Sequence, residues 1–100
     1  MAWKKIAEKN SIERGKGKEF KIDDRRIAIF NQDRYYALDA LCFHQDGAIA
    51  PGKLEEDIVE CPVHFWHYNI KTGKLLDYLN DVKLQTYKVE ERKDGIYVDV

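Results

Sequence analysis

Four side chains in the middle of the sequence have the chemistry of metal ligands. They are Cys42, His44, Cys61 and His64, and they include both cysteines of the 100-residue chain. Each cysteine is followed by a histidine two or three residues later, so the donors form two short pairs. Thiolate sulfur and imidazole nitrogen are the ligands that zinc and iron commonly take from proteins. The spacing therefore predicts a metal centre held between two loops.

The mixed composition of each pair bears on which metal is bound. Small zinc modules usually place two cysteines in one pair and two histidines in the other. Here each pair joins a cysteine to a histidine, and only Phe43 separates the first two donors. Mixed pairs suit a two-iron cluster, in which one iron takes both thiolates and the other takes both imidazoles. A zinc-stabilised interaction module and a Cys42–Cys61 disulfide remain as alternatives.

The rest of the chain predicts β-strands that carry these loops. Short alternating segments are separated by turn signals, and no stretch shows apolar residues at helical spacing. The predicted strands cover residues 3–7 with 11–12, 19–22, 25–30, 34–38, 58–60, 68–70, 74–76, 82–90 and 96–100. In the strand over 25–30, Ile27 and Ile29 point to one face, and Ala28 and Phe30 point to the other. This pattern predicts an all-β sandwich or barrel that forms a single domain over residues 1–100.

The two pairs and the residues around them resemble the Rieske family of [2Fe–2S] proteins. Cys42-x-His44 is followed, after sixteen residues, by Cys61-Pro62-x-His64, and the proline after the second cysteine belongs to the family signature. The continuation Tyr68-Asn69-x-x-Thr72-Gly73 is also similar to that of the family. The resemblance implies a Rieske-like β-sandwich base with an inserted small cluster-binding subdomain of two hairpin loops, at about residues 40–76. It also implies one Rieske-type [2Fe–2S] cluster held by Cys42, His44, Cys61 and His64.

Several neighbours of the ligands are candidates for tuning or covering the cluster. Tyr68 matches a family tyrosine that donates a hydrogen bond to a cysteine sulfur, whereas Trp66 stands where high-potential members have serine. These features predict a potential in the lower half of the Rieske range of about −150 to +300 mV. The family commonly has glycine where this chain has Phe65, and we expect the backbone there to tolerate a side chain. An apolar collar or docking face is predicted from Phe43, Pro62, Phe65 and Trp66, although core packing explains each of them equally well.

Composition limits the functions that this site can serve. Seventeen basic and eighteen acidic residues leave no basic footprint for nucleic acid, and no apolar run approaches membrane length. The sequence also lacks a nucleophile–base pair and a phosphate-binding glycine loop, which argues against an enzyme in its own right. We expect a soluble, cytoplasmic, monomeric one-electron carrier that passes electrons from a reductase to an oxygenase or other redox enzyme. The alternative is a small Rieske subunit of a multi-component enzyme such as nitrite reductase.

Overall fold

The regular structure of the chain is β-sheet. The computed structural model describes residues 3–40, 48–50, 52–62, 65–76 and 82–100, and this part of the chain contains no helix, hence none that could cross a membrane. The strands are β1 (Trp3–Ala7), β2 (Lys16–Ile22), β3 (Arg25–Asn31), β4 (Tyr35–Asp39), β5 (Leu54–Glu55), β6 (Ile58–Glu60), β7 (His67–Asn69), β8 (Thr86–Tyr87), β9 (Val89–Arg92) and β10 (Gly95–Asp99). The all-β fold class predicted from the sequence is confirmed.

The strands form three antiparallel sheets. Their orders are β1-β10-β9, β2-β3-β4-β8 and β5-β6-β7. The four-stranded sheet has a hydrophobic core on each face, because β3 is apolar at four consecutive positions that are all fully buried. Ile27 and Ile29 lie in one core, and Ala28 and Phe30 lie in the other, as the alternation in the sequence predicted.

The two cores support different parts of the molecule, and we call them the base core and the site core. The base core joins the four-stranded sheet to β10 of the first sheet through Ile96 and Val98, and it forms the predicted sandwich. The site core joins the opposite face to the third sheet through Val59 and Tyr68, which are cross-strand partners on β6 and β7. The third sheet lies within the subdomain predicted at about residues 40–76, although the limits of that subdomain and of the single domain stay predictions.

Turn chemistry fixes the β2–β3 hairpin. Ile22 pairs with Arg25, so Asp23 and Asp24 are the two turn residues, with φ values of 52° and 60°. A two-residue hairpin turn with positive φ at both positions matches the right-handed twist of the strands, and aspartate tolerates that conformation better than most residues. The turn chemistry of these two residues therefore sets the register of the hairpin.

Three predicted strands are wrong in detail. The strand expected over residues 82–90 is two strands in different sheets, because the chain leaves the four-stranded sheet after Tyr87 and joins β10 from Val89. Alternation continues across Lys88, so the sequence pattern does not reveal the change of sheet. Residues 74–76 make only isolated bridges, and residues 11–12 are not part of a strand, although Ile12 is buried in the base core.

Candidate metal centre

The second ligand loop spans residues 61–66 between β6 and β7. Glu60 pairs with His67, and alternation along β6 turns Cys61 to the same side as Val59, into the site core. The Cys61 N–H donates to the carbonyl oxygen of Trp66 at 2.7 Å. These backbone contacts fix Cys61 at the base of the loop that carries His64 in sequence.

Phe65 closes this loop in a conformation that side chains rarely adopt. Its N–H donates to the Cys61 carbonyl oxygen at 2.8 Å, and its φ is 60°. The left-handed region is sterically unfavourable for a residue with a Cβ atom, so the expectation of a tolerant backbone at this position is wrong. The ring is 62% exposed, which places most of its surface in solvent rather than in the site core.

The first ligand loop leaves and returns through buried residues. Cys42, Phe43 and His44 lie outside the described residues, as does His64. Ala40 and Ile49 form the root of this loop. The Ala40 N–H donates to the Arg26 carbonyl oxygen at 2.9 Å. The Ile49 N–H in turn donates to the Ala40 carbonyl oxygen at 2.9 Å. Both root residues are fully buried in the site core with Cys61.

A glycine brings the two loops together behind these roots. The Gly52 N–H donates to the carbonyl oxygen of Ile49, and the Glu60 N–H donates to that of Lys53, both at 2.9 Å. A Cβ atom at position 52 would overlap the carbonyl oxygen of Glu60, the residue before Cys61. The chain that follows the first loop can therefore lie this close to the residue before Cys61 only with glycine at position 52. No sequence pattern gives a signal of this contact.

The remaining candidate residues occupy different environments. Tyr68 is fully buried in the site core with Cys61, and Trp66 is half-buried against that core. Pro62 is exposed. The predicted hydrogen bond from Tyr68 to a cysteine sulfur stays a prediction. His67 lies on the outer face of the third sheet, with Nε2 at 3.4 Å from Glu60 Oε1.

The burial of Cys61 tests whether a metal fits here. Its side chain has no exposed surface and packs in a cluster of mainly apolar residues. A thiolate in such a place is costly unless a cation offsets its charge, and metal coordination is one of the few ways in which proteins keep buried charges. The donor types and the position of Cys61 therefore fit a metal centre ligated by thiolate.

Comparison with known proteins decides the family. Residues 2–88 match the Rieske [2Fe–2S] domain. The chain belongs to the Rieske [2Fe–2S] family. Two curated relatives support the assignment: sulredoxin of Sulfurisphaera tokodaii is 32% identical and is aligned over the whole of both chains. The ferredoxin component of biphenyl 2,3-dioxygenase from Rhodococcus jostii is 31% identical over all of this chain and 94% of that protein.

Solved structures agree with the family assignment. The chain superimposes, with a TM-score of 0.84 and 26% identity, on a chain of the complex of reduced oxygenase and oxidised ferredoxin in carbazole 1,9a-dioxygenase, covering 96% of this chain and 91% of that one. The cofactor of this Rieske protein is one [2Fe–2S] cluster, which decides against the zinc alternative. Its curated relatives include ferredoxin components of dioxygenases, and the chain is accordingly an electron-transfer protein rather than an enzyme in its own right.

Proposed function

We propose that Cys42 and Cys61 hold one iron of the cluster and that His44 and His64 hold the other. The observation that supports this most directly is the placement of Cys61, which is buried at the base of one loop and packed against the root of the other. When bound, such a cluster accepts and releases one electron at a time, and replacing two thiolates by imidazoles raises its potential. The site core supplies apolar surroundings that exclude water from Cys61.

We propose further that the protein takes electrons from a reductase and passes them to an oxygenase or another redox enzyme. The support is that the chain is coextensive with the ferredoxin component of a dioxygenase and superimposes on a chain from a ferredoxin–oxygenase complex. We also propose that it is a cytoplasmic monomer that does not bind nucleic acid or membranes. The support from composition is that 17 basic and 18 acidic residues give no basic footprint for nucleic acid or anionic lipid. Phe65, which is 62% exposed and next to His64 in sequence, offers an apolar side chain to a partner at this loop.

The ligand assignment is tested by spectroscopy on a matched pair of histidine variants. The dithionite-reduced wild-type protein should give the electron paramagnetic resonance spectrum of a Rieske centre, and a redox titration then gives its potential. His64→Ala should abolish that spectrum. His67→Ala is the control, because His67 lies three residues away on the outer face of β7 and should leave the spectrum intact. Purified protein without iron and inorganic sulfide, or an unchanged spectrum in His64→Ala, contradicts the assignment.

The small-subunit alternative differs in its partner rather than in its cofactor. A subunit of a multi-component enzyme such as nitrite reductase should co-purify with a larger chain at constant stoichiometry. A free carrier should purify alone and should support turnover when a reductase and an oxygenase are added. Affinity purification from the native host, followed by measurement of the molecular mass, therefore separates the two functions.

A further inference from the structure

Residues 82–87 connect the supports of both ligand loops, and we call them the bridging segment. At one end the Leu75 N–H donates to the Val82 carbonyl oxygen at 2.9 Å, and the Leu84 N–H donates to that of Gly73 at 2.8 Å. These bonds hold the chain that follows β7. At the other end the Asp39 N–H donates to the Gln85 carbonyl oxygen at 2.9 Å, which holds the last residue of β4. The segment therefore fixes one loop support relative to the other.

A side-chain contact strengthens the end of the bridging segment that lies next to the first loop. The Tyr87 hydroxyl donates to Asp39 Oδ1 at 2.6 Å, and Arg25 Nη1 donates to the Tyr87 oxygen at 3.2 Å. The Arg25 guanidinium also lies over the Tyr87 ring, 5.7 Å from its centroid. Asp39 is three residues before Cys42 in sequence. The contact thus constrains the point at which the chain leaves β4 for the first loop.

We propose that Tyr87 is a positioning residue for the [2Fe–2S] centre, acting through Asp39 on the loop that carries Cys42 and His44. The inference rests on the proposed ligand assignment. It goes beyond that assignment because Tyr87 lies 45 residues beyond Cys42 in sequence and belongs to neither ligand loop. Hydrogen bonds to charged acceptors are stronger than those between neutral groups, so this single contact carries weight at the loop root.

The other tyrosine–aspartate pairs in the described part of the chain show why this one is different. Tyr36 donates to Asp33 and Tyr97 donates to Asp94, each at 2.8 Å. Both of those bonds span three residues and hold only a local turn, whereas the bond from Tyr87 spans 48 residues. Burial, followed by the bond to Asp39, raises the pKa of Tyr87, so its hydroxyl remains a donor throughout the neutral range. Tyr97 is therefore a matched control, because it makes the same kind of tyrosine–aspartate hydrogen bond but holds only a local turn.

The test compares Tyr87→Phe with Tyr97→Phe in the cluster-loaded protein by amide hydrogen exchange and by iron release to a chelator. Loss of a hydrogen bond to a carboxylate should increase local opening about tenfold. In Tyr87→Phe we expect that increase at the amides of Asp39 and Ile49. Iron should also be released faster, and the lines of the electron paramagnetic resonance spectrum should be broader. The Leu75 amide, at the other end of the bridging segment, should keep its wild-type exchange rate. Tyr97→Phe should match the wild type in every measurement.

Three results overturn the inference, two from the tyrosine variants and one from the variants of Asp39. Equal behaviour of the two variants would show that the Tyr87 bond does not position the loop, and an equal increase at Ile49 and Leu75 would show only a general loss of stability. Asp39→Asn is the second variant, because its amide keeps an oxygen that accepts from Tyr87. It should retain more protection at Ile49 than Asp39→Ala does, and equal loss in both also contradicts the inference. A wild-type protein without a Rieske spectrum would instead refute the proposed function.

Discussion

Phe65 allows the energetic cost of one backbone conformation to be measured. Phe65→Gly and Phe65→Ala both remove the ring, so its lost contacts cancel when the two variants are compared. The left-handed region costs a residue with a Cβ atom about 1–2 kcal/mol, and glycine avoids this cost. This gain is partly offset, because glycine gives the unfolded chain more conformational freedom and so lowers the free energy of unfolding by about 0.4–1 kcal/mol relative to alanine. We therefore expect Phe65→Gly to be the more stable variant by about 1 kcal/mol.

The assay is the apparent melting temperature of the cluster-loaded variants at one pH and one scan rate. For a domain of this size, 1 kcal/mol corresponds to about 4–8 °C. Glu13 is the control position, because it is exposed and its φ is not positive. There the order should reverse, with Glu13→Ala more stable than Glu13→Gly. If Phe65→Ala melts at or above Phe65→Gly, the conformation is not strained and the reasoning fails.

Three other predictions concern the contact between the loops, the tyrosines and the potential. Gly52→Ala should lower the iron content of the purified protein, because its Cβ atom overlaps the carbonyl oxygen of Glu60. Gly15→Ala is the control: its Cβ atom meets no atom within 4 Å, so this variant should keep its iron despite a φ of 83°. Equal iron content in the two purified variants would contradict this. The pKa of Tyr87 is raised in the fold, so its contribution to stability should be lost as pH rises above about 10. The melting temperature of Tyr87→Phe should therefore fall less steeply between about pH 9 and about pH 11.5 than that of the wild type. An equally steep fall in both proteins would count against this. Redox titration should give a midpoint in the lower half of about −150 to +300 mV and a lower value for Tyr68→Phe, and a midpoint near the top of that range refutes the placement.

Local patterns predict much of this fold because they act over a few residues. The two faces of β3 follow from alternation at Ile27 through Phe30, and the Asp23-Asp24 hairpin follows from turn chemistry. The change of sheet at Lys88 cannot be read in this way, since it depends on where β4 and β10 lie.

The four candidate ligands can also be predicted from the sequence, but the contacts that hold their loops in place cannot. Mixed cysteine–histidine pairs favour a two-iron site over zinc, the resemblance to the Rieske family supplies the assignment of the four ligands, and that assignment stays a prediction. The contact of Gly52 with Glu60 and the bond from Tyr87 to Asp39 join residues far apart in the chain, and no sequence pattern marks them. The φ of Phe65 reverses the sequence expectation because a strained backbone is set by the closed loop around it rather than by the preference of the residue.

The placement of one hydrophobic core on each face of β3 has a practical consequence for protein engineering. Substitutions at Ile29 or Val98 change packing on the side of the sheet away from Cys61. Such changes offer a way to make the protein more heat-resistant without retuning its electron affinity. Substitutions at Phe30 or Tyr68 alter packing on the same side as Cys61, and there the two properties must be adjusted together.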